Sequence, residues 1–146
     1  MRRIRQEYAE YYEITAVRDG DNWVINGHKW FTSGGLNASF AIVMCVTDPG
    51  APPHSKMSQI IVPPDTPGFN IIRPIPVMGD TEGHHCEIVY DDVLVPVTNT
   101  LGEPRHGFRI AQRRLGPGRI YHCMRWLGQM QRAFELMCSY CVLRKN

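Results

Sequence analysis

After Pro96 the spacing of apolar residues changes, and that change limits the fold more than any other feature of the chain. Ile120, Cys123, Met124, Leu127, Met130, Phe134, Met137, Cys138 and Cys141 recur at i, i+3/i+4 and i+7. That period marks a helix carrying one apolar stripe. Gly116-Pro117-Gly118 interrupts it, because proline inside a helix removes a hydrogen bond and kinks the axis. The spacing therefore predicts a short helix from about Gly107 to Leu115, a bend, and a long helix from about Arg119 to Arg144. The second helix would be about 39 Å long at 1.5 Å per residue. A stripe of that length calls for other helices, so the segment reads as part of an incomplete helical bundle.

The residues before it read as β. Tyr12–Arg18 and Asn22–Ile25 flank Asp19-Gly20, a hairpin signal. Ala41–Val46 is a short apolar run bounded by turn residues, and Asp48–Lys56, with three prolines and a glycine, is loop. Further strands are expected at Ser58–Val62, Phe69–Arg73 and His85–Tyr90, broken by Pro63-Pro64, Pro67-Gly68 and Met78–Gly83. Short strands at this spacing suggest a sandwich or barrel. The expected class is α+β: an antiparallel β-barrel or sandwich followed by a kinked long helix.

Within the β region, Trp23–Gly35 reads W-V-I-N-G-H-K-W-F-T-S-G-G. Asn26-Gly27 predicts a type I′ hairpin turn, which needs φ > 0 at both central residues. His28–Thr32 would be the return strand, with Trp30 and Thr32 on one face and Lys29 and Phe31 on the other. An aromatic plane two residues from a hydroxyl, ahead of Ser33-Gly34-Gly35, could receive a flat heterocycle. A core hairpin with a buried tryptophan is the plainer alternative.

Charge is uneven. Residues 1–104 hold 7 Lys/Arg against 13 Asp/Glu, and residues 105–146 hold 9 against 1, Glu135. A basic carboxy-terminal segment implies either an anionic partner or a solvated helix face. Five scattered cysteines point to a reducing compartment, and Cys138-Ser-Tyr-Cys141 lacks the second ligand pair of a zinc site. His84 and His85 are adjacent, so a strand would direct them to opposite faces; nothing suggests a metal. No targeting signal and no membrane-length apolar run is legible.

At this point the residues resemble a family. The succession R-D-G-D-x-W-x-I-N-G-x-K-W-x-T-S-G, then D-T-P-G-F, M-G-D, V-Y-D-D-V-x-V-P, L-G-E-x-x-x-G-F and a long helix ending Y-C-V-L-R-K is similar to the acyl-CoA dehydrogenases. Arg113–Ile120 and His122–Arg125 most resemble the large branch in which a phosphotransferase-like domain precedes the dehydrogenase. The resemblance implies a divergent segment over 1–13, the family's middle β domain over 14–104, and the start of its carboxy-terminal helical domain over 105–146.

It also implies roles. Trp30 would pack on a flavin ring, and Thr32, with Ser33 beside it, would meet the flavin's reactive edge, orienting and tuning it. Arg144 would reach the pyrophosphate of an FAD held by a neighbouring subunit, a task suited to a planar, always-charged guanidinium. Arg119, at the start of the long helix, would lie near the CoA of the substrate. Gly116 stands where many relatives carry an aspartate that contacts CoA, so the Gly116-Pro117-Gly118 turn would offer backbone groups instead.

The implied reaction is FAD-dependent dehydrogenation of an acyl-CoA to the trans-2-enoyl-CoA in β-oxidation. Its carboxylate base lies in the family beyond this chain, which is expected to be inactive alone. Gln6–Glu10 replace the family's T-E-P-x-x-x-S-D segment. Electron-transfer flavoprotein, a homo-oligomer or a full-length relative are the implied partners, in mitochondria or peroxisomes. Alternatives are an acyl-CoA oxidase fragment and a non-catalytic flavin-binding or oligomerisation module. Nucleic-acid binding through the arginines at 105, 109, 113, 114, 119, 125 and 132 lacks any groove-reading motif.

Overall fold

The computed structural model describes residues 14–144. The amino-terminal segment 1–13, including the expected start of the first strand at Tyr12, lies outside them. The described residues form six strands, β1 (Thr15–Asp19), β2 (Asn22–Ser33), β3 (Ala41–Val46), β4 (Met57–Val62), β5 (Phe69–Val77) and β6 (Asp80–Pro96), then one helix, α1 (Gly107–Leu143). Short 3-10 turns follow β2 at Gly35–Asn37 and β6 at Val97–Asn99. The chain divides into two units, residues up to 108 and residues from 109 on.

The strands make one sheet in the order β4-β3-β1-β2-β6-β5. Four neighbour pairs are antiparallel and β1–β3 is parallel, so the sheet is mixed within the expected α+β class. β1 and β2 form the expected hairpin, with Asp19 opposite Asn22 and Gly20 at φ 57° in the turn. One apolar cluster joins Ala16 on β1, Trp23 and Ile25 on β2, Val43 and Cys45 on β3, Ile60 and Val62 on β4, and five residues of β6. Alternation of buried and exposed positions along each strand produces that shared face. The Trp23 indole is tied at its polar end, where Nε1 donates to Thr100 Oγ1 at 2.9 Å.

Asn26-Gly27 is not the turn of a hairpin. β2 runs without a break from Asn22 to Ser33, and the second expected strand is its continuation. The positive φ that marks the dipeptide is present, at 144° for Gly27, but inside a β-bulge. Ile25 pairs with Val93 and Gly27 with Tyr90, so Asn26 alone faces both Asp91 and Asp92. Two residues opposite one is the definition of a bulge. The extra residue keeps β6 facing the core on both sides: Cys86, Ile88 and Tyr90 are buried before it, Val93 and Val95 after it.

A second bulge lies further along the same ladder. Lys29 pairs with Ile88 and Thr32 with Cys86, so Trp30 and Phe31 together face Glu87. Phe31 adopts φ 60°, a left-handed conformation unusual outside glycine. The simple alternation expected for Lys29–Thr32 is interrupted there. The expected break over Met78–Gly83 is also shorter than the sequence suggested, because Val77 pairs with Asp80 across a two-residue turn.

The two helices expected around Gly116-Pro117-Gly118 are one. α1 continues through Pro117 for 37 residues, about 55 Å at the standard rise. Proline's missing N–H leaves the Arg113 carbonyl without its usual donor, and the helix tolerates that loss. Arg119 consequently stands in the body of α1 and not at a helix start. Gly116–Gly118 form helical turn backbone and not an open loop, which overturns the expectation of a turn presenting free backbone groups.

Beside the apolar stripe read from the sequence, the 3.6-residue period sets a second row of Trp126, Ala133, Leu136 and Tyr140, interrupted by His122 and Gln129. No helix among the described residues is long and apolar enough to cross a membrane.

Candidate functional site

The end of β2 and the strands beside it hold the best-developed cluster of chemistry in the sheet unit. The bulge at Trp30-Phe31 turns two consecutive aromatic residues outward, with Trp30 38% exposed and Phe31 47% exposed. The tryptophan is therefore not the buried core residue of the plainer reading; Trp23 fills that role. His28 and Phe31 meet Trp30 in T-shaped contacts, with ring centroids 6.3 Å and 5.8 Å away. The Arg73 guanidinium lies over the indole, 5.0 Å from its centroid.

Glu87 ties this group together. Its Oε2 accepts from Arg73 Nε at 2.7 Å, and its Oε1 lies 2.8 Å from His28 Nε2. A carboxylate only accepts, so the histidine proton sits on Nε2. The Glu87 side chain is 12% exposed, so both contacts are partly sheltered from water.

Thr32 follows the bulge. Its Oγ1 is buried and has no hydrogen-bond partner among the described residues. A buried hydroxyl left unpaired costs about 1–3 kcal/mol, so such groups mark places where something else supplies the partner. The backbone carbonyl of Thr32 accepts from the Cys86 thiol at 3.3 Å. Next in the chain, Ser33 Oγ and His85 Nδ1 are 3.0 Å apart, and Gly34 N donates to His84 O at 2.7 Å.

Gly34, at φ 71°, then turns the chain into the 3-10 turn. Gly35 is buried directly against the Cys86 sulfur, where a Cβ would overlap it. Burial pushes the Cys86 thiol up, and the N–H groups of Gly35 and Leu36 only partly offset that. A pocket of about 160 Å³ opens beside this turn, lined by Gly34, Leu36, Asn37, Gly83 and His84. At its rim, Asp80 accepts from Gly83 N (3.1 Å) and His84 N (3.0 Å), and its Oδ2 lies 2.6 Å from His84 Nδ1. Those bonds, the His84 N–H first, hold the Asp80 carboxyl below the ordinary carboxylate range.

The sequence-derived site residues thus fall into two groups. Trp30, Thr32 and Ser33 share the end of β2. Gly116, Pro117, Gly118 and Arg119 make one turn of α1, and Arg144 follows its last residue with its N–H bonded to Tyr140 O at 3.0 Å. Sequence reasoning missed Arg73, Glu87, His28 and Phe31, because their meeting depends on the bulge. Among the described residues no group of three or more His, Cys, Asp or Glu side chains could hold a metal.

Comparison with known proteins decides the family. Residues 8–93 match the acyl-CoA dehydrogenase middle domain, and residues 105–146 match the acyl-CoA dehydrogenase C-terminal domain. The chain belongs to the acyl-CoA dehydrogenase family. It is 53% identical over 134 residues to the probable acyl-CoA dehydrogenase FadE2 of Mycobacterium tuberculosis, covering 90% of this chain and 33% of the relative. It is 51% identical over 133 residues to acyl-CoA dehydrogenase family member 10 of Mus musculus, covering 88% of this chain and 12% of the relative. The chain therefore spans a third or less of the length of these relatives. Among solved structures, a putative acyl-CoA dehydrogenase from Mycobacterium abscessus superposes with a TM-score of 0.76 at 39% identity, over 94% of this chain and 35% of that one.

Within the acyl-CoA dehydrogenase family, an oxidoreductase family, the residues around Trp30 fit a flat aromatic cofactor. An outward indole offers a stacking surface, and an unpartnered hydroxyl two residues later offers one polar contact.

Proposed function

We propose that this chain supplies the flavin-facing part of an FAD-dependent acyl-CoA dehydrogenase. Two observations carry the reading: Thr32 Oγ1 is buried without a partner among the described residues, and Trp30, two residues before it, is exposed. Trp30 stacks on the cofactor ring and Thr32 completes its hydrogen bonding against that ring's edge. Ser33, held to His85, keeps the following backbone in place. When bound, FAD accepts the hydride that leaves the acyl chain of the thioester. The residues of this chain bind and orient the cofactor, and abstraction of the substrate proton is assigned to none of them.

Two further roles belong to the same reading. Arg144 engages the pyrophosphate of FAD in a neighbouring subunit, and Arg119 with the preceding Gly116-Pro117-Gly118 turn of helix lies along the CoA. Electrons leave to an electron-transfer flavoprotein, the partner of the family's dehydrogenases.

The test is spectroscopic. Titrating the purified protein with FAD should perturb the visible flavin absorbance and quench its fluorescence. A flavin spectrum unchanged at saturating protein would overturn the reading. Turnover of an acyl-CoA by the 146-residue chain alone would overturn the assignment of the proton abstraction elsewhere.

A further inference from the structure

Arg73 and Glu87 form a device around Trp30 that the flavin reading does not require and does not explain. The indole has two faces, and the Arg73 guanidinium occupies one of them, 5.0 Å from the ring centroid. Arginine is not there by chance of rotamer. Its Nε is fixed at 2.7 Å by Glu87 Oε2, and the other carboxylate oxygen is fixed by His28 Nε2 at 2.8 Å. The backbone enforces the same meeting: Arg73 is the register partner of Glu87 on one side, and the Trp30-Phe31 bulge faces Glu87 on the other. One carboxylate, sheltered between β2 and β5, thus sets the position of the cation on the aromatic ring.

We infer that Arg73 is a standing backing for Trp30, so that the flavin stacks only on the indole face that Arg73 leaves open. Glu87 is the positioning residue that keeps it so. This rests on the flavin reading of Trp30. The backing stops the indole from swinging, so less rotamer freedom is lost when the ligand binds.

The experiment uses ring-current shifts. Protons held above an indole face resonate upfield, so the Arg73 δ-methylene signal, from protons that make no hydrogen bond, should be upfield in the wild-type chain. It should move to an ordinary position in Trp30→Leu and also in Glu87→Gln, which preserves side-chain size. With FAD bound, the upfield Arg73 signal should persist, because the ligand takes the opposite face. Glu87→Gln and Arg73→Met should each weaken FAD binding about two- to fivefold, the range expected for an exposed cation–π contact. Circular dichroism that matches the wild type checks that each variant is folded.

The outcomes separate the two readings. A protein that never binds FAD, with its Arg73 signal upfield as expected, overturns the flavin reading and this inference with it. FAD binding that abolishes the upfield shift, or FAD affinity unchanged in Glu87→Gln, overturns this inference alone.

Discussion

Asn26 and Asp92 grip each other across the sheet with two hydrogen bonds of equal length. Asn26 Nδ2 donates to Asp92 Oδ1 at 2.8 Å, and Asp92 N donates to Asn26 Oδ1 at 2.8 Å. The amide thereby pairs the backbone N–H of a residue that the bulge removes from the regular ladder. It also braces Asp92 in its left-handed conformation, φ 49°. Asn26→Ala should destabilise the protein by about 1–2 kcal/mol, two partly exposed hydrogen bonds at ordinary net worth. Asp92→Asn keeps an oxygen acceptor and the backbone donor, and tolerates positive φ, so it should be near neutral. Urea unfolding of both variants checks the contrast; equal losses would deny the grip.

Thr32 separates stability from binding. Thr32→Val keeps the shape but removes the orphaned hydroxyl, so the ligand-free protein should gain about 1 kcal/mol. The same change should weaken FAD binding. Trp30→Ala should weaken it by about 1–3 kcal/mol, the usual worth of stacking a heterocycle on an aromatic side chain. Thermal unfolding and flavin titration on the same preparations read both effects. A Thr32→Val protein with lower stability would mean that the hydroxyl has a partner after all.

Gly35 is glycine because Cys86 is beneath it. A methyl group at that position would overlap the buried sulfur, so Gly35→Ala should cost about 1–3 kcal/mol through forced repacking. Cys86→Ala removes the obstacle at the expense of a small cavity. The double variant should therefore be more stable than the sum of the single losses predicts, a coupling that denaturant titration of the full cycle measures.

Asp80 makes part of the stability depend on pH in a stated direction. Its carboxyl lies below the ordinary range in the folded protein because the N–H groups of His84 and Gly83 and the His84 ring bond to the ionised form. The unfolded chain therefore binds this proton more readily than the folded one. The contribution is fully present above the unfolded value of about 4 and is lost as pH falls through the lower folded value. The stability difference between the wild type and Asp80→Asn should shrink across that window. A difference independent of pH would rule out the assignment.

The sequence was most legible where structure is decided locally. Ala41–Val46 and the Asp19-Gly20 hairpin are where spacing and turn residues placed them. Reading failed where partners distant in sequence decide. The preference of Asn26-Gly27 for unusual backbone angles is real, but the long ladder with β6 absorbs it in a bulge. The length of β6 was hidden because Asp91-Asp92 breaks its alternation. Pro117 signalled a break that the surrounding helix overrides. In the site, Trp30 and Thr32 were legible from local pattern and family resemblance. Arg73 and Glu87 were not, since their meeting depends on a register that the bulges shift.

The two bulges in the β2–β6 ladder carry a consequence for how such chains can vary. One adds a residue to β6, the other adds a residue to β2, and the offsets cancel. Ahead of the pair and beyond it, the strands share a single frame; only the short window between them is out of phase. A lone insertion or deletion in that window would send every following residue of one strand to the wrong side. Changes of length here should therefore be found in matched pairs, one on each strand, and Trp30 can be re-aimed over generations while the core on either side never registers the change.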